Sequence, residues 1–197
     1  MPIELTKEQA KRALGPATAL CSSDGPSIYI GFWGLYNQGN LYGNWCDLEI
    51  ASTREEIEDC IQFLRDKHGD QNATDEWMVQ DHCMLPQCLH GENPDLDQIE
   101  LFMTTWLELH EDEQEAYLLH CNNEGSVVDE ESFRDAFYGV HESPEAFAED
   151  FFESRDEGTG SLAPYIDWER VWEGEFNCAG WYGLKLEGGE WAIFCPR

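Results

Sequence analysis

Four residues in the middle of the chain have side chains that can bind a metal. His82, Cys83, Cys88 and His90 offer four potential zinc ligands within nine residues. Structural zinc sites use paired ligands in spacings such as C-x-x-C, which this segment lacks, and the adjacent His82 and Cys83 fit poorly into one tetrahedron. The sequence therefore predicts no metal site, and zinc binding by these four residues stays open as the minor alternative.

The carboxylates offer a second kind of chemistry, because the chain contains 41 Asp and Glu residues. At that density a pair suited to general acid–base catalysis arises by chance. Asp95-x-Asp97 begins like a calcium loop, but Glu100 stands where an EF-hand needs glycine, so a solvated helix face explains it better. The chain also lacks a nucleophile elbow, a phosphate loop with lysine, and His-Glu-x-x-His. We therefore predict that the protein is not an enzyme and has no cofactor.

The distribution of charge is the strongest signal in the sequence. Between Lys67 and Arg134 there is no lysine or arginine, but there are seventeen carboxylates, and the formal net charge of the chain is −30. Such a surface repels nucleic acids and anionic membranes and attracts cationic partners. A uniformly acidic coat, as in halophiles, is the alternative, but Lys7, Lys11 and Arg12 cluster near the N-terminus, so the charge is patterned.

This charge has the linear density of DNA. B-DNA carries about one negative charge per 1.7 Å of axis, so thirty charges correspond to about 50 Å, or about 15 base pairs. A compact chain of this length has a diameter of about 40 Å, and an elongated one is longer. The protein can therefore present charge at phosphate-like density if the carboxylates share one surface.

The composition predicts a folded protein rather than a disordered one, because 42% of the residues are hydrophobic and 13% are aromatic. There is no apolar run of about 20 residues, and Met1–Leu20 has no signal-peptide core, so we expect a cytoplasmic protein. The eight cysteines are scattered without a disulfide-framework pattern, and we expect most of them to be reduced.

The sequence predicts an N-terminal appendage followed by an α+β domain. In residues 1–26, Thr6 and Gln9 can form a capping box for a helix to Leu14, and the order of this appendage is left open. Residues 27–94 predict a hairpin with strands at 28–30 and 41–42, a helix from Ser52 or Thr53, and a third strand at 77–80. The buried face of that helix is predicted to comprise Ile57, Cys60, Ile61 and Leu64.

Residues 95–137 predict a central helical domain, and residues 138–197 a C-terminal α+β domain. The first central helix has an apolar stripe, and further helices fit 113–121 and 129–137. Ser143-Pro144-Glu145 marks a helix start, and another short helix fits 165–172 before Gly174. A hairpin of 176–186 and 191–194 closes the chain. The stripe of the first central helix comprises Leu96, Ile99, Phe102, Met103, Trp106 and Leu107.

Several segments together resemble a known family. They occur in the family's order over residues 27–197, and the chain is similar to ArdA-type antirestriction proteins. It departs from the family's pattern in its N-terminal appendage and at His82-Cys83, where the family commonly has an aromatic residue and an acid. The matching segments are Ser27-Ile-Tyr-Ile-Gly, Tyr36-Asn-x-Gly, Gly43-Asn-Trp45-x-Asp47-Leu, Gln80-Asp81 with Pro86, Ser132-Phe-Arg-Asp-Ala-Phe-Tyr-Gly139, Phe147-Ala-Glu-Asp and Tyr165-Ile-Asp-Trp168-Glu.

The resemblance implies an elongated, curved chain of three small α+β and helical domains that imitates bent B-DNA. It also implies a homodimer formed through the C-terminal domain, with Tyr138 and Val140 as candidate interface residues, although packing in the core explains these residues equally well. Such proteins come from mobile genetic elements and occupy the DNA groove of type I restriction–modification enzymes. We expect inhibition of this kind, with an acidic chaperone for basic DNA-binding proteins as the alternative.

The candidate mimic surface consists of the carboxylates nearest to the central and C-terminal helices. A DNA channel is lined with lysine and arginine, and carboxylates can replace the phosphates there. An ordinary solvated helix residue is the competing explanation for each of these carboxylates. Their effect should be distributed, so that neutralising one changes little. The candidates are Glu111, Asp112, Glu113, Glu115, Asp129, Glu130, Glu131, Asp135, Glu142, Glu145, Glu149, Asp150 and Glu153.

Overall fold

A computed structural model describes residues 7–14, 25–155 and 160–196. The chain divides into two compact units, of which the first contains Met1–His110 and Cys121–Val128, and the second Glu111–His120 and Asp129–Arg197. Each contains helices and one antiparallel sheet of three strands, which confirms the predicted α+β class. The division into domains 27–94, 95–137 and 138–197 stays a prediction.

The elements of the first unit surround a sheet with the strand order β2-β1-β3. Ile28, Ile30 and Phe32 are completely buried in the central strand, and both neighbouring strands pair with it in antiparallel register. The elements are α1 (Lys7–Ala13), β1 (Ser27–Phe32), α2 (Trp33–Tyr36), β2 (Gly43–Asp47), α3 (Arg54–His68), β3 (Trp77–Cys83), a 3-10 turn (Gln87–Leu89) and α4 (Leu96–Glu108).

The predicted hairpin exists, but its connection and second strand differ from the prediction. The chain turns into the short helix α2 directly after β1, where the Trp33 amide donates to the carbonyl of Glu76 at 3.0 Å. β2 begins at Gly43, so the prediction of a strand at 41–42 is wrong. Leu41 is 70% exposed, because it belongs to the loop rather than to the sheet.

Helix α3 follows its sequence signals. Thr53 accepts a hydrogen bond from the Glu56 amide, and the Glu56 carboxylate accepts one from the Thr53 amide, which completes a capping box. Gly69 ends the helix in the left-handed conformation at φ 80°. The predicted apolar face of Ile57, Cys60, Ile61 and Leu64 is buried.

Helix α4 confirms five of the six residues predicted for its apolar stripe. The prediction is wrong for Leu107, which is 48% exposed because the stripe that faces the core ends at Trp106. The Trp106 indole N–H donates to a carboxylate oxygen of Glu49 at 3.2 Å, which connects the helix to the segment after β2.

The described part of the appendage is ordered against the first unit. Ala10, Ala13 and Leu14 are buried, α1 packs against α3 and β2, and Leu14 forms an antiparallel bridge with Cys46. The predicted cap Thr6 lies outside the described residues. The helix predicted to reach Leu14 ends at Ala13.

The second unit contains a sheet with the strand order β4-β6-β5, so β6 is the central strand and β4 is at an edge. Two α-helices, α5 and α6, precede this sheet in the chain, and α7 and α8 lie between its strands. The elements are α5 (Glu111–Glu124, whose last residues belong to the first unit), α6 (Glu130–Ala136), β4 (Phe137–His141), α7 (Pro144–Ser154), a 3-10 helix (Gly160–Tyr165), α8 (Trp168–Val171), a π-helix (Trp172–Phe176), a 3-10 turn (Asn177–Ala179), β5 (Tyr182–Lys185) and β6 (Trp191–Phe194).

An aromatic cluster forms one part of the core of this unit. Phe147 is 1% exposed and lies 5.0 Å from the ring of Phe176 and 5.4 Å from that of Trp181. Phe147, Phe151 and Phe152 of α7 all pack into this cluster, the latter two being half-buried. The cluster therefore fixes α7 against the sheet and the helices that follow α7.

Four local predictions for this unit are corrected. Phe137 begins β4 rather than ending a helix, and the helix predicted for 165–172 is present only from Trp168. Gly174 does not end it, because the buried side chains of Trp172 and Phe176 anchor a π-helix that runs through the glycine. The closing hairpin is confirmed, but its first strand is short, from Tyr182 to Lys185.

Candidate acidic surface of the second unit

All thirteen candidate carboxylates lie in the second unit, and none of them is buried. They belong to α5, α6 and α7 or to the residues next to these helices. We call them the acidic helix surface. Eight are exposed, namely Glu111, Asp112, Asp129, Glu131, Asp135, Glu142, Asp150 and Glu153, and the others, Glu113, Glu115, Glu130, Glu145 and Glu149, are half-exposed.

The helix starts explain why so many carboxylates lie there. Asp129 caps α6 by accepting the Ser132 amide at 2.8 Å, and Ser143 caps α7 by accepting the Ala146 amide at 3.1 Å. The first turns of α5 and α6 are acidic, which complements the positive ends of their helix dipoles. A sequence rich in carboxylates can therefore form these helices without opposing cations.

Arg134 joins two of these helices. Its guanidinium contacts a carboxylate oxygen of Glu113 in α5 at 2.9 Å and one of Glu130 in α6 at 3.3 Å. Partial burial lowers the pKa of Arg134, but the two carboxylates outweigh that effect and raise it above its ordinary value. Glu113 and Glu130 are thus already paired with a cation inside the protein.

Three further carboxylates have internal partners. Glu115 accepts the backbone N–H of Glu187 at 2.6 Å, Asp129 caps α6, and Asp150 lies 3.6 Å from the imidazole of His141. Within the described residues, the remaining eight have no ion pair or side-chain hydrogen bond: Glu111, Asp112, Glu131, Asp135, Glu142, Glu145, Glu149 and Glu153.

Few cations oppose this surface. In the described part of the second unit the lysine and arginine residues are Arg134, Arg155, Arg170 and Lys185. Arg134 is paired as above, and the guanidinium of Arg155 lies over the ring of Phe151 at 3.9 Å. The eight unpartnered carboxylates therefore remain available to an external cationic surface.

The two candidate interface residues are on the edge strand β4. Tyr138 is 50% exposed, and its ring lies 5.2 Å from that of Phe147 and 5.3 Å from that of Trp181. Val140 is half-buried. Tyr138 is therefore an exposed extension of the aromatic cluster.

The potential zinc ligands have other contacts. The rings of His82 and His90 stack at 3.5 Å between centroids, and His90 Nε2 lies 2.8 Å from the carbonyl oxygen of Leu85. Burial, and secondarily His90, lower the pKa of His82. In the part of the chain that the structure describes, no group of three or more His, Cys, Asp or Glu residues could hold a metal ion.

Sequence reasoning missed the internal partners of the carboxylates. The spacing of Glu130 and Arg134 is that of an i,i+4 ion pair, a signal that could have identified this contact. The contact of Arg134 with Glu113 and that of Glu115 with Glu187 join distant segments, so no local pattern predicts them.

Comparison with known proteins adds a family assignment. The family model of the antirestriction protein ArdA matches residues 28–176. The match includes α5, α6 and α7 and so the whole acidic helix surface. No curated protein matches the chain. Among the described residues, no helix is long and apolar enough to span a membrane.

Proposed function

The chain belongs to the ArdA antirestriction protein family, and we propose that it inhibits type I restriction–modification enzymes by occupying their DNA-binding groove. The observation that carries this mechanism is the acidic helix surface, in which eight of the thirteen carboxylates are exposed and none is buried. The net charge of −30 extends the same negative potential over the chain.

The mechanism needs no covalent chemistry. A protein channel that binds DNA gains much of its affinity from counterions released when its lysines and arginines meet phosphates. A carboxylate that meets the same cations replaces a phosphate in that exchange. The protein then acts as a competing ligand, and we propose a non-enzymatic inhibitor without a cofactor.

The eight unpartnered carboxylates support this proposal more strongly than the five that have internal partners. A carboxylate already paired with Arg134 must give up part of that interaction before it contacts a cation of the enzyme. Glu111, Asp112, Glu131, Asp135 and Glu149 are examples that need no such exchange. Each is expected to contribute only about 0.2–1 kcal/mol, the usual range for an exposed ion pair.

A competition experiment tests the proposal. Purified type I restriction–modification enzyme is incubated with the protein and a DNA duplex that contains its recognition site. DNA and protein should displace one another, and the enzyme's DNA cleavage should fall as protein is added. Capture of small basic proteins without any binding to the restriction enzyme would favour the acidic-chaperone alternative.

We further propose that the protein forms a homodimer through β4 of the second unit. An edge strand presents unpaired backbone N–H and C=O groups that a second strand can bind. The exposed ring of Tyr138 provides aromatic area beside this edge, and aromatic residues are typical of interface centres. The family resemblance also implies dimerisation through the C-terminal domain, which contains β4.

Replacing Tyr138 by aspartate is expected to weaken the dimer by at least about tenfold, because it adds a charge and removes an aromatic anchor. Sedimentation equilibrium at micromolar concentration measures the dissociation constant. Leu162→Asp is the matched control, since Leu162 is an exposed apolar residue of the same unit outside β4. A wild-type protein that sediments as a monomer would rule out this interface.

A further inference from the structure

The second unit contains an open cleft of about 390 Å³, and Tyr138 is not among the residues that line it. Its lining includes the apolar residues Pro144, Trp172 and Trp191 and the carboxylate residues Glu145, Glu169 and Glu173. The volume is within the range of pockets that bind small molecules or side chains. No lysine or arginine lines the cleft.

The walls of this cleft are held in place by the core. Trp172 is buried, stacks on Phe176 at 5.8 Å, and meets Phe147 edge-on at 6.0 Å. Gly183 forms part of the lining, and a Cβ atom there would lie 3.1 Å from the Trp191 ring, so the absence of a side chain allows this ring to pack against the strand. Both indoles therefore pack against neighbouring groups of the same unit.

The chemistry of the cleft selects a cation. Tryptophan faces attract cations more strongly than other aromatic rings do, and Trp191 already has the ammonium nitrogen of Lys185 6.0 Å from its ring centroid. Glu169 and Glu173, which also line the cleft, are exposed residues. Glu173 is oriented by the side-chain amide of Asn177, which donates to it at 2.8 Å.

We propose that this cleft binds the guanidinium group of an arginine side chain. A guanidinium is planar, stacks on aromatic faces, and donates to two carboxylates at once, whereas a lysine ammonium is more strongly hydrated and offers no flat face. We assign this arginine to the restriction enzyme, and that assignment rests on the proposed function. The cleft would then give the diffuse acidic surface one specific anchoring point.

N-acetyl-arginine amide is a suitable probe, and N-acetyl-citrulline amide is its neutral counterpart of the same shape. In a titration followed by ¹H–¹⁵N NMR, the indole N–H signals of Trp172 and Trp191 should shift saturably with the arginine probe, with a dissociation constant of about 1–10 mM. The citrulline probe should bind at least about tenfold more weakly. Equal binding of the two probes, or unshifted indole signals, would overturn the proposal.

Two charge-matched double variants locate the effect. Glu169→Gln with Glu173→Gln removes two exposed carboxylates that line the cleft and should weaken binding of the arginine probe at least about tenfold. Glu187→Gln with Glu190→Gln removes two exposed carboxylates of the same unit outside the cleft, and binding should change less than about twofold. Equal weakening by both variants would mean that the probe responds to net charge, and the cleft would not be a site.

The same variants distinguish a failure of the cleft proposal from a failure of the proposed inhibition of the restriction enzyme. If the wild-type protein inhibits the restriction enzyme and both double variants inhibit it equally well, no arginine of the enzyme uses the cleft, and the proposed function stands. If the wild-type protein does not inhibit, the proposed function fails, and the NMR titration still decides whether the cleft binds a guanidinium.

Discussion

Reversing six unpartnered carboxylates of the acidic helix surface to lysine is expected to weaken inhibition of the restriction enzyme at least about 100-fold. Six exposed ion pairs at about 0.5 kcal/mol each sum to about 3 kcal/mol, and each reversal adds repulsion to the lost attraction. Inhibition is measured as the protein concentration that halves DNA cleavage. The residues for this variant are Glu111, Asp112, Glu131, Asp135, Glu149 and Glu153.

Two controls show whether the loss comes from this surface. The single variant Glu149→Gln should change inhibition less than about threefold, because no one carboxylate dominates. A second sextuple variant reverses exposed carboxylates of the first unit and should retain inhibition within about tenfold. Comparable loss in both sextuple variants would contradict the assignment to the acidic helix surface. The first-unit residues are Glu55, Asp75, Glu76, Asp81, Glu92 and Glu108.

Folding must be checked in both sextuple variants, because lysine in the first turn of a helix opposes the helix dipole. Each such reversal costs about 0.3–1 kcal/mol, and Glu111, Asp112 and Glu131 are in first turns. Far-UV circular dichroism and the melting temperature provide the check. A variant that keeps its helical signal and loses inhibition has lost charge complementarity rather than structure.

Truncating Phe147 to alanine is expected to lower the free energy of unfolding by about 3–5 kcal/mol. Phe147 is 1% exposed at the centre of the aromatic cluster, and its ring contacts those of Tyr138, Trp172 and Phe176. The alanine variant leaves a cavity that these neighbouring rings can close only partly. Urea denaturation followed by tryptophan fluorescence measures the change.

The matched control is Leu162→Ala, which truncates an apolar residue of the same unit that is 61% exposed. Its effect should stay within about 0.5 kcal/mol, as is usual for surface substitutions. If Phe147→Ala unfolds no more easily than this control, the aromatic cluster does not stabilise the second unit. Inhibition by Phe147→Ala should fall as well, because α7, which carries Glu149 and Glu153, is packed through this ring.

Elements with strong local signals could be predicted from the sequence. Helix α3 is specified by a capping box at Thr53 and Glu56, by a four-residue apolar face and by a terminal glycine, Gly69. Helix α7 is likewise specified by Ser143 and Pro144. In both cases neighbouring residues provide the stabilising contacts, so the information is contained in a short window of sequence.

Elements that depend on tertiary contacts could not be predicted. The four-residue helix α2 is too short to show periodicity, and Gly34 within it lies so close to Ala73 that a Cβ atom would be 2.6 Å from the Ala73 carbonyl oxygen. Gly174 failed as a helix stop because Trp172 and Phe176, on either side of it, are both buried in the core. Only the folded chain brings these partners together.

The solvent exposure of the candidate carboxylates could be predicted from the sequence, but their internal ion pairs and hydrogen bonds could not. Carboxylates on the polar sides of α5, α6 and α7 are expected at the surface because burying an unpaired charge is costly. The ion pair of Glu113 could not be predicted in this way, because its partner Arg134 is on another helix. Internal contacts of this kind divide the thirteen carboxylates into five that have internal partners and eight that remain available.

The most direct test of the central claim is the salt dependence of binding between the protein and a purified type I restriction–modification enzyme in competition with DNA. If the carboxylates replace phosphates, DNA must displace the protein completely. The logarithm of its affinity should also fall linearly with the logarithm of the salt concentration, with a slope of about −5 or steeper, as for a ligand that contacts several cations. Simultaneous binding of DNA and protein, or an affinity that does not change with salt, would contradict the account.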